Sequence, residues 1–156
     1  MKLFSLPVAL LLSLSISESL AHTKTAVEDA IDQSSKLHRC WVPVKTKGSH
    51  TRYVLSEPIY EMCIYMPDPA NWNKFYVNGV NEESDDYTTI HSIFAVGSKS
   101  HQTLTVCLQE AFQFETSPAP SQVSLRCLCK RNGCNVPKTI THFLDENRLS
   151  LQQFEF

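Results

Sequence analysis

Three of the six cysteines in this chain, Cys127, Cys129 and Cys134, fall within eight residues of one another. A Cys-x-Cys-x4-Cys run at that density either grips a metal or belongs to a disulfide framework, and the redox compartment decides which. Here the N-terminus points to an oxidising compartment. Met1-Lys2 carries a positive charge, and Leu3 to Ile16 is a nearly uninterrupted apolar run. Ser19-Leu20-Ala21 then sets small residues where a signal peptidase reads. This pattern predicts a signal peptide over residues 1–21, cleaved after Ala21. The apolar run is shorter than the roughly 20 residues that span a bilayer. The end of the chain, with Asp145, Glu146, Arg148 and Glu155, lacks the hydrophobic tail of a glycolipid anchor. The expectation is a secreted, extracellular protein without a membrane anchor, its cysteines oxidised and holding no metal.

An even cysteine count implies three bridges, with many pairings formally open. Spacing narrows them. Cys127 and Cys129 are two apart and on a strand face the same side, so each needs a different partner. Asn132-Gly133 is a strong turn signal, which lets Cys129 and Cys134 close a small terminal loop. Cys107 and Cys127 are equidistant from Ser117, inside the loop-like stretch Thr116 to Ser121, and would face each other across a hairpin. Cys40 and Cys63 remain. Loop-closure entropy gives the Cys40–Cys63, Cys107–Cys127 and Cys129–Cys134 bridges upper values of about 3, 3 and 2 kcal/mol. The total rivals the about 5–15 kcal/mol stability of a typical domain.

The residues between the cysteines read as an all-β, disulfide-rich domain over 40–136, between a leader at 22–39 and a C-terminal tail at 137–156. In the leader, Thr25-Ala26-Val27-Glu28 fits a capping box, with Val27, Ala30 and Ile31 near one helical face. The segment reads either as a short helix or as a mobile leader. Trp41 to Val44 and Arg52 to Leu55 predict two strands joined through Lys47-Gly48-Ser49. Cys63 to Met66 predicts a third, stopped by Pro67 and Pro69. Lys74 to Val77 predicts a fourth, ending at an Asn78-Gly79 turn. Tyr87 to Val96 is rich in β-formers but alternates poorly. Thr103 to Leu108 and Val123 to Cys129 alternate cleanly.

Composition excludes several functions. The formal net charge of −2 is too balanced for nucleic-acid binding or strong attraction to anionic membrane. The histidines His22, His38, His50, His91, His101 and His142 lie far apart and form no zinc-protease pair. No nucleophile-elbow serine or phosphate-binding glycine loop is present. The acidic run Glu82, Glu83, Asp85 and Asp86 lacks the alternating ligands and turn glycine of a calcium loop. Neither a catalytic residue nor a cofactor is therefore expected. The candidate contact residues lie in the middle segment: Trp72, Tyr65, Phe75 and Tyr76. Aromatic residues on a projecting loop anchor interfaces, although Phe75 and Tyr76 could equally build the central sheet. Trp72, between Asn71 and Asn73, is the preferred anchor.

The ending Arg126-Cys127-Leu128-Cys129-x4-Cys134-Asn135 resembles the last strand of Ly6/uPAR, or three-finger, domains. On that pattern the fingers are Cys40 to Cys63, Ile64 to Val106 and Cys107 to Cys127, and the spacing-based pairings agree with the family's order. Three features depart from it: Leu128 separates cysteines that are usually adjacent, the pair bracing the second finger is missing, and the second finger is long. The resemblance implies a structural, core-bonding role for Asn135. It also implies a non-enzymatic protein that binds through its finger loops. The expected partner is an extracellular protein such as a receptor or channel ectodomain, engaged by a monomer. The alternatives are a small secreted hydrolase using His91 or His101, and a host-defence effector.

Overall fold

A computed structural model describes residues 25–45, 51–81, 87–112 and 121–149. The signal segment, the Lys47-Gly48-Ser49 connection, the acidic run at 82–86, the tip at 116–120, His22 and His50 lie outside the described residues. The elements run α1 (Ala26–Ser34), β1 (Trp41–Lys45), β2 (Thr51–Leu55), β3 (Met62–Asp68), β4 (Asn71–Val80), α2 (Thr88–Ala95), β5 (Thr105–Phe112), β6 (Gln122–Cys129) and α3 (Ile140–Leu149). Three antiparallel hairpins result. β1 and β2 make a two-stranded sheet, and the other two hairpins merge into one sheet of order β4-β3-β6-β5. The chain is mostly β, with three short helices among the described residues.

Strand alternation gives the four-stranded sheet two buried faces. Ile64, Met62, Leu128 and Val80 point to one face, where Ile90 and Phe94 of α2 cover them. Tyr65, Val77 and Cys127 point to the other, under Ile140 and Phe143 of α3 and under Trp41 and Tyr53 of the β1–β2 hairpin. On this second face an aromatic column runs Tyr53, Phe75, Tyr65, Phe143, with centroid spacings of 5.5, 6.0 and 4.1 Å. Such pairs add about 0.5–1.5 kcal/mol each beyond the area they bury. The Tyr65 hydroxyl donates to the Lys138 carbonyl at 2.9 Å. Burial pushes its pKa up to about 12.

All six cysteines are paired as Cys40–Cys63, Cys107–Cys127 and Cys129–Cys134, the order expected from spacing. The first and third bridges form one buried cluster at the hairpin bases. Fully buried Asn135 sits beside them. Its carbonyl oxygen accepts from Trp41 N–H at 2.9 Å, and its amide nitrogen lies 3.0–3.1 Å from the carbonyls of Trp41, Ile64 and Asn78. One side chain thus joins β1, β3 and β4. The Asn132-Gly133 turn feeds this residue. Gly133 takes φ +66°, its N–H donates to the Arg39 carbonyl at 2.7 Å, and the Asn132 side chain accepts from Arg39 N–H at 2.9 Å.

Several expectations are corrected. Thr88–Ala95 is helix rather than strand, because Ile90 and Phe94, one helical turn apart, seal the face over Ile64 and Leu128. Asn78 and Gly79 do not turn; both lie in β4. A Cβ on Gly79 would stand 2.0 Å from the Tyr60 ring, so the glycine serves a close approach. β3 does not stop at Pro67. It runs to Asp68, because β6 pairs only with Cys63 to Tyr65 and leaves Pro67 no partner on that side to whom an N–H is owed. The boundaries at 39/40 and 136/137 do not separate packed from unpacked chain. Residues 137–156 were expected to be a tail, but α3 buries Ile140 and Phe143. α1 resolves the leader in favour of a helix. It carries the expected capping box, with Glu28 N–H to Thr25 at 3.2 Å and Thr25 N–H to the Glu28 carboxylate at 2.8 Å, and it buries Ala30.

Two outcomes are expected. Asn135→Ala strands several buried backbone groups, at about 1–3 kcal/mol each. It should lower unfolding stability by about 3–5 kcal/mol in urea titrations of the disulfide-intact protein. His38 is buried, and burial, then the Lys130 charge, lowers its pKa from 6.5 to about 4. Below pH 6.5 the unfolded chain takes up a proton that the native state refuses. Stability from this group is therefore complete above pH 6.5, falls towards pH 4 and is level below it. The loss totals up to about 3 kcal/mol. His38→Met should flatten the slope by that amount in denaturation curves taken from pH 7 to pH 4.

Candidate functional site

The β3–β4 tip is shaped by two short polar side chains. Asp68 accepts from the N–H groups of Ala70 and Asn71 at 2.8 and 3.2 Å, and Asn71 accepts from Asn73 N–H at 3.1 Å. These bonds replace ladder bonds that the register lacks. Pro67 lies opposite Phe75, but Asp68 lies opposite Asn71. Trp72, Asn73 and Lys74 therefore have no counterpart on β3 and bulge outward. Trp72 is 63% exposed, beside exposed Asn71, Asn73 and Lys74.

The four predicted contact residues divide. Trp72 and Tyr76 are exposed, Tyr76 at 48% with its hydroxyl accepting from Asn78 Nδ2 at 2.8 Å. Tyr65 is completely buried and Phe75 is partly buried, both inside the aromatic column. Tyr65 has no surface to offer a partner, so its assignment as a contact is corrected, and Phe75 packs its ring against the core. They root the hairpin whose tip presents Trp72. Strand parity carried that signal already, since Phe75 and Tyr76 are consecutive and must face opposite ways. Sequence reasoning had set Trp72 between Asn71 and Asn73 but missed Lys74 as a further exposed neighbour; its place two residues on, in the same polar stretch, was the available cue. Chemically the tip offers an indole face and N–H, an ammonium, a phenol and two amides. That set suits a partner surface mixing apolar and acidic groups.

Elsewhere the described residues assemble no catalytic constellation. His101 is exposed in a bridge with Ser98, and His91 lies on α2 with its Nε2 meeting no hydrogen-bond partner among the described residues. His142 bonds Thr139 at 2.8 Å at the start of α3, with both residues at the surface. No group of three or more metal-ligating side chains occurs among the described residues. A concavity of about 300 Å³ is lined by Gln33, Arg131, Asn132, Glu146 and Asn147. Its polar groups hold structure together: Arg131 donates to Asn147 at 2.9 Å, and Asn147 donates to the Cys134 and Phe143 carbonyls.

Comparison with known proteins places residues 25–148 in a family of unknown function, DUF5354. The chain belongs to that family. Two uncharacterized proteins of Caenorhabditis elegans are similar to it. One is 55% identical over 123 residues, covering 79% of this chain and 92% of the relative. The other is 38% identical over 48 residues, covering 31% of this chain and 92% of that shorter relative. No solved structure matches the DUF5354 chain. No described helix is long and apolar enough to cross a membrane.

The division of the aromatic residues is directly measurable. Trp72→Ala should leave unfolding free energy within about 0.5 kcal/mol of wild type, as exposed substitutions do. Tyr65→Ala should cost about 3–5 kcal/mol, as buried aromatic truncations do. Paired urea denaturation curves read both.

Proposed function

We propose that this DUF5354 protein is secreted and acts without catalysis, by docking the β3–β4 tip on an extracellular protein such as a receptor or channel ectodomain. The observation that carries this reading is Trp72: a large aromatic side chain, 63% exposed, thrown out by a bulge while Phe75 anchors the same strand in the core. An exposed tryptophan on a rigidly rooted hairpin loses little conformational entropy on binding, which favours its use as an anchor. Three hairpins joined at a disulfide-rich base, with Asn135 bonded into that base, also support the likeness to three-finger domains. In that family, finger loops are the contact surfaces. The start of the family match at residue 25, just past the expected cleavage after Ala21, fits a processed chain. Three disulfides fit an oxidising destination.

The test is an array of purified receptor and channel ectodomains probed with the oxidised protein. We expect an ectodomain bound by wild type, with affinity falling at least about tenfold in Trp72→Ala, as for an interface hot spot, and unchanged in Val123→Ala. Binding insensitive to Trp72→Ala would overturn the tip as the contact. Hydrolysis of an ester, lipid or peptide substrate that disappears in His91→Ala or His101→Ala would overturn the non-enzymatic reading.

A further inference from the structure

β5 is the outermost strand of the four-stranded sheet, and its backbone polarity can be read from two distances. Cys107 and Cys127 are opposite each other with Cα atoms 4.0 Å apart, the close spacing of a non-hydrogen-bonded antiparallel pair. One residue before the strand, the Leu104 carbonyl accepts from Lys130 N–H at 3.5 Å. Even-numbered positions of β5 therefore bond to β6. Thr105, Cys107, Gln109 and Ala111 direct their N–H and C=O groups away from it. Among the described residues these outward groups meet no backbone partner.

Open edges are normally blunted by proline, lysine, a bulge or a covering element. At the opposite end of this sheet, β4 is bulged at Trp72 to Lys74 and is tied to β1 through Asn135. Among the described residues β5 has none of these protections from Thr105 to Ala111. It contains no proline or lysine, and its register with β6 is unbroken. Its one charge, Glu110, is already neutralised by Arg126 at 2.6 Å within the same chain.

We propose that this edge pairs antiparallel with β5 of a second copy of this chain, joining two four-stranded sheets into one continuous sheet. The strand is complementary to itself about a two-fold axis through Leu108. Cys107 then lies opposite Gln109 of the second copy, and Thr105 opposite Ala111. These pairs and their symmetry mates are all outward-directed residues that exchange N–H···O bonds. Leu108 meets Leu108 in a close pair, and Val106 meets Glu110. No like charges are opposed, which favours a second copy over a partner of arbitrary sequence. The contact is mostly backbone with little apolar area, so it belongs to the weak class of interfaces, with Kd on the order of 1–100 µM.

Sedimentation velocity of the oxidised protein, followed by backbone amide exchange, tests this. Wild type should pass from monomer to dimer as concentration rises through about 1–100 µM. Exchange at Cys107, Gln109 and Ala111 should slow in step, while Leu108, already bonded to β6, stays constant. Gln109→Pro removes an N–H that β6 does not use, so it should leave circular dichroism unchanged and the protein monomeric throughout. Gln109→Lys, an independent edge charge, should weaken the dimer at least tenfold. A wild type that remains monomeric would overturn the proposal. So would a dimer that survives both Gln109 variants, or one abolished by Trp72→Ala instead.

Discussion

The structure depends on Asn135. Its side-chain amide bonds β1, β3 and β4 together, in a fully buried site beside two disulfides. A buried amide of this kind is favourable only when its donors and acceptors are all met, so it tolerates essentially one arrangement of the three strands. The neighbouring bridges act differently. Cys40–Cys63 and Cys129–Cys134 restrict the unfolded chain and say little about register. Bridges hold the hairpin bases near one another, and Asn135 specifies how they meet.

From that base the rest follows by strand parity. One face of the sheet takes α2 and the other takes α3 with the β1–β2 hairpin. Both faces being covered, the surface left for recognition is at the tips and at the edge. Among the described residues, the bulge at Trp72 and the outer side of β5 are two such places. They lie on different hairpins and use different chemistry, an aromatic anchor in one case and backbone polarity in the other.

Much of the fold was legible because the signals were local. Alternation at Val123 to Cys129 identified β6, the Asn132-Gly133 turn located the terminal loop, and Thr25 with Glu28 announced α1. Cysteine spacing led to the observed pairings only together with the Asn132-Gly133 turn and the loop-like stretch Thr116 to Ser121, since barring a Cys127–Cys129 bridge leaves most pairings open. The failures were places where a distant neighbour overrode local preference. Thr88 to Ala95 carries β-formers, yet an uncovered sheet face made helix the better way to bury Ile90 and Phe94. Asn78-Gly79 has turn chemistry, yet the Tyr60 ring required the missing side chain. Tyr65 was grouped with Trp72 as a contact, and Phe143, far along the chain, buried it.

The sequence by itself determined the class of the molecule: a small β-rich chain whose three bridges and short strands follow from cysteine spacing and alternation, which act over a few residues. Only the tertiary structure decided which aromatic residues are core and which are surface, that α1 and α3 pack against the rest, and which strand was left at the edge. Those outcomes depend on what lies opposite a residue in space. Burial is a property of the partner surface as much as of the side chain, and no window along the chain contains both.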